Sequence, residues 1–214
     1  MKGLLITLEG IDGSGKGTAA KYIATRLAET MPERRLVLTA EPTSGHVGRI
    51  LRAEMAKACD CETKPAAAKH MQELFLFMAD HAHHLTKTVL PALETGAIVL
   101  SDRYADSTAA YQGVTLSGIV PDPVSWIQSI FRPWNLVPDR TLLFVLDPHV
   151  ALQRMQSRRE RQKFERLEFL QSVDENFRHM AALEPERFVQ IDAEQDAKIV
   201  GEDAIKAILN LIHK

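Results

Sequence analysis

Cysteine is nearly missing from this chain, with two among 214 residues, Cys59 and Cys61. They stand too close together to bridge easily, and no second Cys/His pair sits at zinc-ligand spacing, so free thiols in a reducing compartment are expected. No apolar run approaches the roughly 18 to 20 residues that cross a bilayer, and no basic segment leads into a signal-type apolar core. Cytoplasmic residence without a membrane partner is the expectation. Charge imbalance is slight, a formal net charge of -2, which gives no global attraction to nucleic acid. Polyanions must be gripped locally. Low-complexity tracts, repeats and Ser/Gly linkers are also lacking, so one domain over 1–214 is expected.

What is present is alternation. Five short apolar runs, Leu4 to Leu8, Leu36 to Thr39, Ala97 to Leu100, Leu142 to Leu146 and Phe188 to Ile191, are separated by longer segments of helical period. Helices are predicted at about 16–30, 46–58, 66–93, 122–131, 148–157, 164–183 and 197–213. This order predicts an α/β fold with a five-stranded parallel sheet covered by helices on both faces. Ligands in such sheets sit beyond the carboxyl ends of the strands, and the segments there are polar, acidic or glycine-bearing.

The first of these segments is "EGIDGSGKGT". Gly10, Gly15 and Lys16 fit G-x-x-x-x-G-K directly after a predicted strand and before a predicted helix, the context a phosphate-binding loop requires. Its glycines let backbone N–H groups converge on phosphate oxygens, the helix start adds positive potential, and Lys16 supplies a mobile charge. Residues Gly10, Ile11, Asp12, Gly13, Ser14, Gly15, Lys16, Gly17 and Thr18 are therefore candidates for ATP. Gly17 brings no hydroxyl where magnesium is usually faced, although Thr18 follows at once. Asp12 would repel a triphosphate unless it faces elsewhere, for instance toward a second substrate's hydroxyl.

The third strand runs into Asp102 in "AIVLSDRYADSTAAYQG", as an apolar strand delivers an acid toward Mg²⁺. "DRYADSTAAYQG", "LEGIDGSGKGT", "EPTSG", "FMADHAHH" and "RQKFE", in this order over about residues 3–192, resemble the thymidylate kinases, P-loop nucleoside monophosphate kinases. The resemblance implies a P-loop NTPase-type three-layer sandwich with a small basic lid, and transfer of the γ-phosphoryl group of ATP to dTMP with Mg²⁺. It also implies a homodimer.

Residue by residue, the resemblance makes Arg103 the clamp on the acceptor's phosphate and puts Asp102 near the magnesium and phosphates, with Thr18 a second metal candidate. Ser107, Thr108 and Gln112 fall near the base, and Tyr111 against the sugar, where its ring favours deoxyribose. If the segment after Arg103 is helical, Arg103, Ser107 and Tyr111 share one face. Asp12, Glu41, Pro42 and Arg52 complete the dTMP set, and Ala40 stands where the family commonly has arginine. Phe77 matches the family's thymine-stacking phenylalanine, whereas His81 replaces its base-reading arginine. A neutral imidazole offers one donor and one acceptor, so a different acceptor base, for example dUMP, is the alternative. For His81, His83 and His84, a mostly solvated helix face with one histidine turned into the site is favoured over a metal cluster. Phe75 and Leu76 read as core.

The basic run at about 154–166 matches the family's lid, and a phosphate loop without its own arginine requires one from the lid. Arg158, Arg159 and Arg161 are the candidates, since Lys163 stands where arginine is often found.

Overall fold

The computed structural model describes residues 2–56, 67–156 and 167–212. The five β-branched runs become strands: β1 (Leu4–Glu9), β2 (Leu36–Ala40), β3 (Ile98–Asp102), β4 (Arg140–Val145) and β5 (Phe188–Asp192). All pair in parallel, in the order β2-β3-β1-β4-β5. In β1, β3 and β4 nearly every residue is buried, as strands covered on both faces must be. Edge strand β2 is only half covered, and Leu38 on it is exposed. The hydroxyls of Thr7 and Thr141 bond each other at 3.0 Å between β1 and β4, which satisfies two polar groups inside the sheet.

Helices connect the strands: α1 (Lys16–Thr30), α2 (His46–Met55), α3 (Ala67–His84), α4 (Leu90–Glu94), α5 (Ala105–Thr115), α6 (Pro123–Phe131), α7 (Pro148–Gln156), α8 (Leu167–Leu183) and α9 (Ala197–Ile212). Helix α1 packs with α9, and α5 packs with α3, α6 and α8. The result is the three-layer P-loop NTPase-type arrangement. The chain leaves central β1 first toward β2 and later toward β4, so the topological switch lies at the carboxyl end of β1.

Two helical details depart from expectation. The predicted helix at 66–93 is interrupted, because Leu85–Val89 widen into a π-helical turn before α4. Pro91 in the first turn of α4 has no N–H to give to the preceding turn, and a widened turn accommodates that loss. Phe75, read as core, is 56% exposed, whereas His81 and His84 are buried. The inward face of α3 is the one carrying the histidines. Cys59, Cys61, Arg158, Arg159, Arg161 and Lys163 lie outside the described residues, as does all of the lid segment beyond Gln156.

Candidate active site

The loop after β1 is held by close backbone approach. Gly10 has φ 138°, and a side chain there would come within 2.5 Å of the Phe144 carbonyl oxygen. Gly13, at φ 83°, would meet the Ala151 carbonyl oxygen at 2.4 Å. Both positions require glycine on two independent grounds. Helix α1 then starts at Lys16, whose ammonium donates to the carbonyls of Gly10 at 2.9 Å and Ile11 at 2.8 Å and to Ser14 Oγ at 3.1 Å. Burial, helped by the nearby Arg103 charge, brings its pKa down to about 7, with Asp12, Asp102 and Glu9 opposing. This lysine is folded over the loop it serves.

Arg103 follows β3 with a left-handed backbone, φ 73°, uncommon for a non-glycine residue. Its amide donates to Leu8 O at 3.0 Å, and its carbonyl accepts from Ser101 Oγ at 2.7 Å, which together hold the turn. The guanidinium is thereby sent back across the phosphate loop. It donates to Asp12 Oδ1 at 2.6 Å, Ser107 Oγ at 2.9 Å, Gly10 O at 3.2 Å and the Tyr111 hydroxyl at 3.2 Å. Tyr111 accepts from the Asp12 amide at 2.9 Å. Ser107 and Tyr111 share one face of α5, whereas Arg103 lies outside the helix and reaches that face only because its left-handed turn folds the side chain back; Asp12 faces Arg103. Burial would raise the Asp12 pKa, but Arg103 and Lys16 outweigh it and hold the carboxyl below its usual range. Lys16 and Arg103 converge on a single atom, the carbonyl oxygen of Gly10.

Asp102 ends β3 with a partly exposed carboxylate that carries no hydrogen bond or ion pair among the described residues. Its Oδ2 lies 3.4 Å from where a Cβ on Gly17 would stand. Thr18 is exposed in the first turn of α1. A cavity of about 560 Å³ opens beside Asp102, lined also by Gly17, Ala40, Pro42, Arg52 and His83. Arg52 donates to the carbonyls of Pro42 and Thr43, bracing the turn that follows β2. Thr108 and Gln112 are buried on α5, and Gln112 Nε2 has no partner among the described residues, although its Oε1 accepts from Thr115 at 2.9 Å. Phe77 is half-buried one turn before His81.

The histidines of α3 need correction. His81 is fully buried, with Nδ1 at 2.8 Å from Glu41 Oε1 and Nε2 at 2.9 Å from Asn135 Oδ1. His84 also donates through Nδ1 to Glu41 Oε1, at 2.7 Å, while its Nε2 meets Thr39 Oγ1 at 2.8 Å. With both nitrogens engaged and Tyr104, Phe131 and Trp134 packed edge-on around its ring, His81 has no edge turned into the site. Burial works against its charge, yet the Glu41 carboxylate holds its pKa above the ordinary histidine value. Glu41, placed with the acceptor nucleotide from sequence, has one oxygen taken by two imidazoles. Asp80 accepts from the Thr43 amide at 2.6 Å and hydroxyl at 2.5 Å, so α3 pins the whole turn after β2. Among the described residues no group of three His, Cys, Asp or Glu could hold a metal.

Three participants carried no role in the sequence reading. Glu9 lies within the quoted loop motif, and an acid ending a buried strand was the available signal. Asn135 reaches His81 from the loop after α6, and Arg187 pairs with Asp106 at 2.5 Å from the turn before β5. Neither has a local signal.

The family described as Thymidylate kinase matches this chain over residues 8–204. A probable thymidylate kinase of Methanococcoides burtonii is 46% identical over 99% of both chains. Another, of Natronomonas pharaonis, is 40% identical over 99% of this chain and 100% of the relative. Among solved structures, thymidylate kinase from Ehrlichia chaffeensis superposes with a TM-score of 0.74 at 27% identity, covering 97% of this chain and 100% of that one. This chain belongs to the thymidylate kinase family.

Proposed function

We propose that this chain transfers the γ-phosphoryl group of ATP to dTMP, giving dTDP and ADP. The observation that carries this reading is the meeting of Lys16 and Arg103 on the Gly10 carbonyl. One cation belongs to the loop that grips the donor's phosphates and the other to the acceptor side, so two phosphate groups brought to them lie within transfer distance. Both hold protein oxygens that incoming phosphates can replace.

In this reading the amides of Gly10 through Thr18 receive the ATP phosphates, and Lys16, pushed down to about 7 in the free protein, is fully protonated once anionic oxygens surround it. Arg103 and Arg52 receive the dTMP phosphate, Phe77 stacks on the base, Tyr111 borders the sugar, and Thr108 and Gln112 line the base side, while the Ser107 hydroxyl, expected near the base, is instead engaged by Arg103 and Glu9. The unpartnered Gln112 Nε2 supports this, because a buried amide donor is satisfied by a carbonyl on the ligand. Glu41 and Pro42 shape the turn, and His81 supports them from behind. With His81 turned away from the pocket, the ground for a different acceptor base falls.

Asp102 fits a magnesium site of the kind that keeps its waters and takes one carboxylate plus substrate phosphate oxygens. The ion, when bound, neutralises charge on the transferring group, and Thr18 is a further ligand candidate. A single domain over 1–214 with a lid at about 154–166 that closes over ATP, and neutralisation of the transferring phosphoryl group by Arg158, Arg159 or Arg161, belong to the same proposal. So do cytoplasmic residence and a homodimer, the latter supported by exposed Ile50 on α2 and Phe75 on neighbouring α3. A coupled assay of ADP formation across dTMP, dUMP and other monophosphates tests the reading. Turnover with another acceptor and none with dTMP overturns it.

A further inference from the structure

We propose that Glu9, a residue that touches neither substrate in the reading above, is a positioning residue for the reaction: through the Ser107 hydroxyl it fixes the direction in which Arg103 is aimed. Glu9 ends β1 directly beneath the phosphate loop and is fully buried. Its Oε2 accepts from Ser107 Oγ, and Ser107 Oγ accepts from Arg103 at 2.9 Å. A serine hydroxyl has one hydrogen, and a guanidinium only donates. With that hydrogen committed to Glu9, the serine must present a lone pair to Arg103. Without Glu9 the hydroxyl is free to rotate, and the lone pair is no longer held in place.

This arm and the contact with Asp12 lie on different nitrogens of the guanidinium. One nitrogen faces Ser107 and Gly10 O, the other Asp12 and Tyr111. An acceptor phosphate that competes with Asp12 for the second nitrogen leaves the first still tied to Ser107 and Glu9. Arg103 therefore exchanges one anion for another without losing its orientation. A phosphate misaligned by about 1 Å loses on the order of 100-fold in rate.

The carboxyl is also a poor choice for stability alone. Its Oε1 is buried with no partner among the described residues, a state that costs stability. Burial, with the Asp106 carboxylate nearby, pushes the pKa of Glu9 well above its usual range despite Ser107, Arg103 and Lys16. A local rule broken without structural return is expected where function is served.

The proposal rests on the dTMP kinase reading for its kinetic test, and a second measurement is independent of it. Glu9→Leu is expected to lower kcat about 10- to 100-fold with KM for ATP unchanged. Glu9→Gln, whose amide oxygen can accept from Ser107, is expected to recover most of that loss. Ser107→Ala should match Glu9→Leu, and the double variant should add nothing further. Wild-type kcat in Glu9→Leu, or additive losses in the double variant, overturns the proposal. If the parent chain does not phosphorylate dTMP, the kinase reading fails by itself. Nitrogen NMR of the Arg103 guanidinium, assigned with Arg103→Lys, then decides: separate Nη signals in the parent that average in Glu9→Leu support the proposal, and signals unchanged in Glu9→Leu refute it.

Discussion

Replacing His81 by arginine puts two readings of α3 in direct opposition. If residue 81 faced the thymine, His81→Arg would restore a fork of donors and lower KM for dTMP while leaving stability alone. In the structure the imidazole is fully buried between Glu41 and Asn135, with the rings of Tyr104, Phe131 and Trp134 at 4.4, 5.1 and 5.4 Å from its own. A longer side chain must displace those rings, which costs about 1–3 kcal/mol. The bond to Asn135 is lost as the new group shifts, worth about 0.5–1.5 kcal/mol. The sum, about 1.5–4.5 kcal/mol, corresponds to a fall in Tm of roughly 3–18 °C for a chain of this size. Thermal unfolding followed by circular dichroism, alongside steady-state kinetics with dTMP and dUMP, reads both consequences. An unchanged Tm with a tenfold or larger change in KM for dTMP would refute the burial argument.

The same pair dictates a pH dependence. His81 is held above its ordinary pKa of about 6.5 and Glu41 below its ordinary value of about 4.3. The histidine's contribution is fully present below pH 6.5 and is lost as pH rises through its folded value. The carboxylate's is present above pH 4.3 and is lost as pH falls through its own. Urea midpoints of the parent minus those of His81→Gln should therefore peak between about pH 4.3 and 6.5 and decline on both sides; a flat difference contradicts the ion pair. Gly13→Ala should cost about 2–5 kcal/mol in urea unfolding, combining a left-handed backbone with overlap on the Ala151 carbonyl. Gly15→Ala has the same backbone sign but meets nothing within 4 Å, so it should cost only about 1–2 kcal/mol. Tyr111→Phe strands the Asp12 amide, with an expected loss of about 1–3 kcal/mol and faster hydrogen exchange at that amide.

Much of this architecture is readable before any coordinates. The strands are legible because parallel strands buried on both faces need continuous β-branched runs, and the phosphate loop because its glycines are forced by backbone geometry rather than by distant partners. The face shared by Ser107 and Tyr111 follows from helical spacing, whereas Arg103 joins it only through the turn that precedes α5. What resisted reading depends on tertiary partners. Nothing near residue 81 announces Asn135, 54 residues later, so an imidazole satisfied from two directions looks in sequence like a half-free reader of the base. Phe75 misled for a related reason: α3 carries apolar residues on more than one face, and only packing against Tyr104 and the turn after β2 selects the histidine side. The left-handed Arg103 was also silent, because a positive φ at arginine has no signature of its own.

One oxygen of Glu41 accepts from both His81 and His84. These three positions therefore cannot drift one at a time. A change at either ring leaves the buried carboxylate with one imidazole donor fewer, so viable variants should replace members of the trio jointly, and a chain that takes arginine at 81 should have remodelled its neighbours as well.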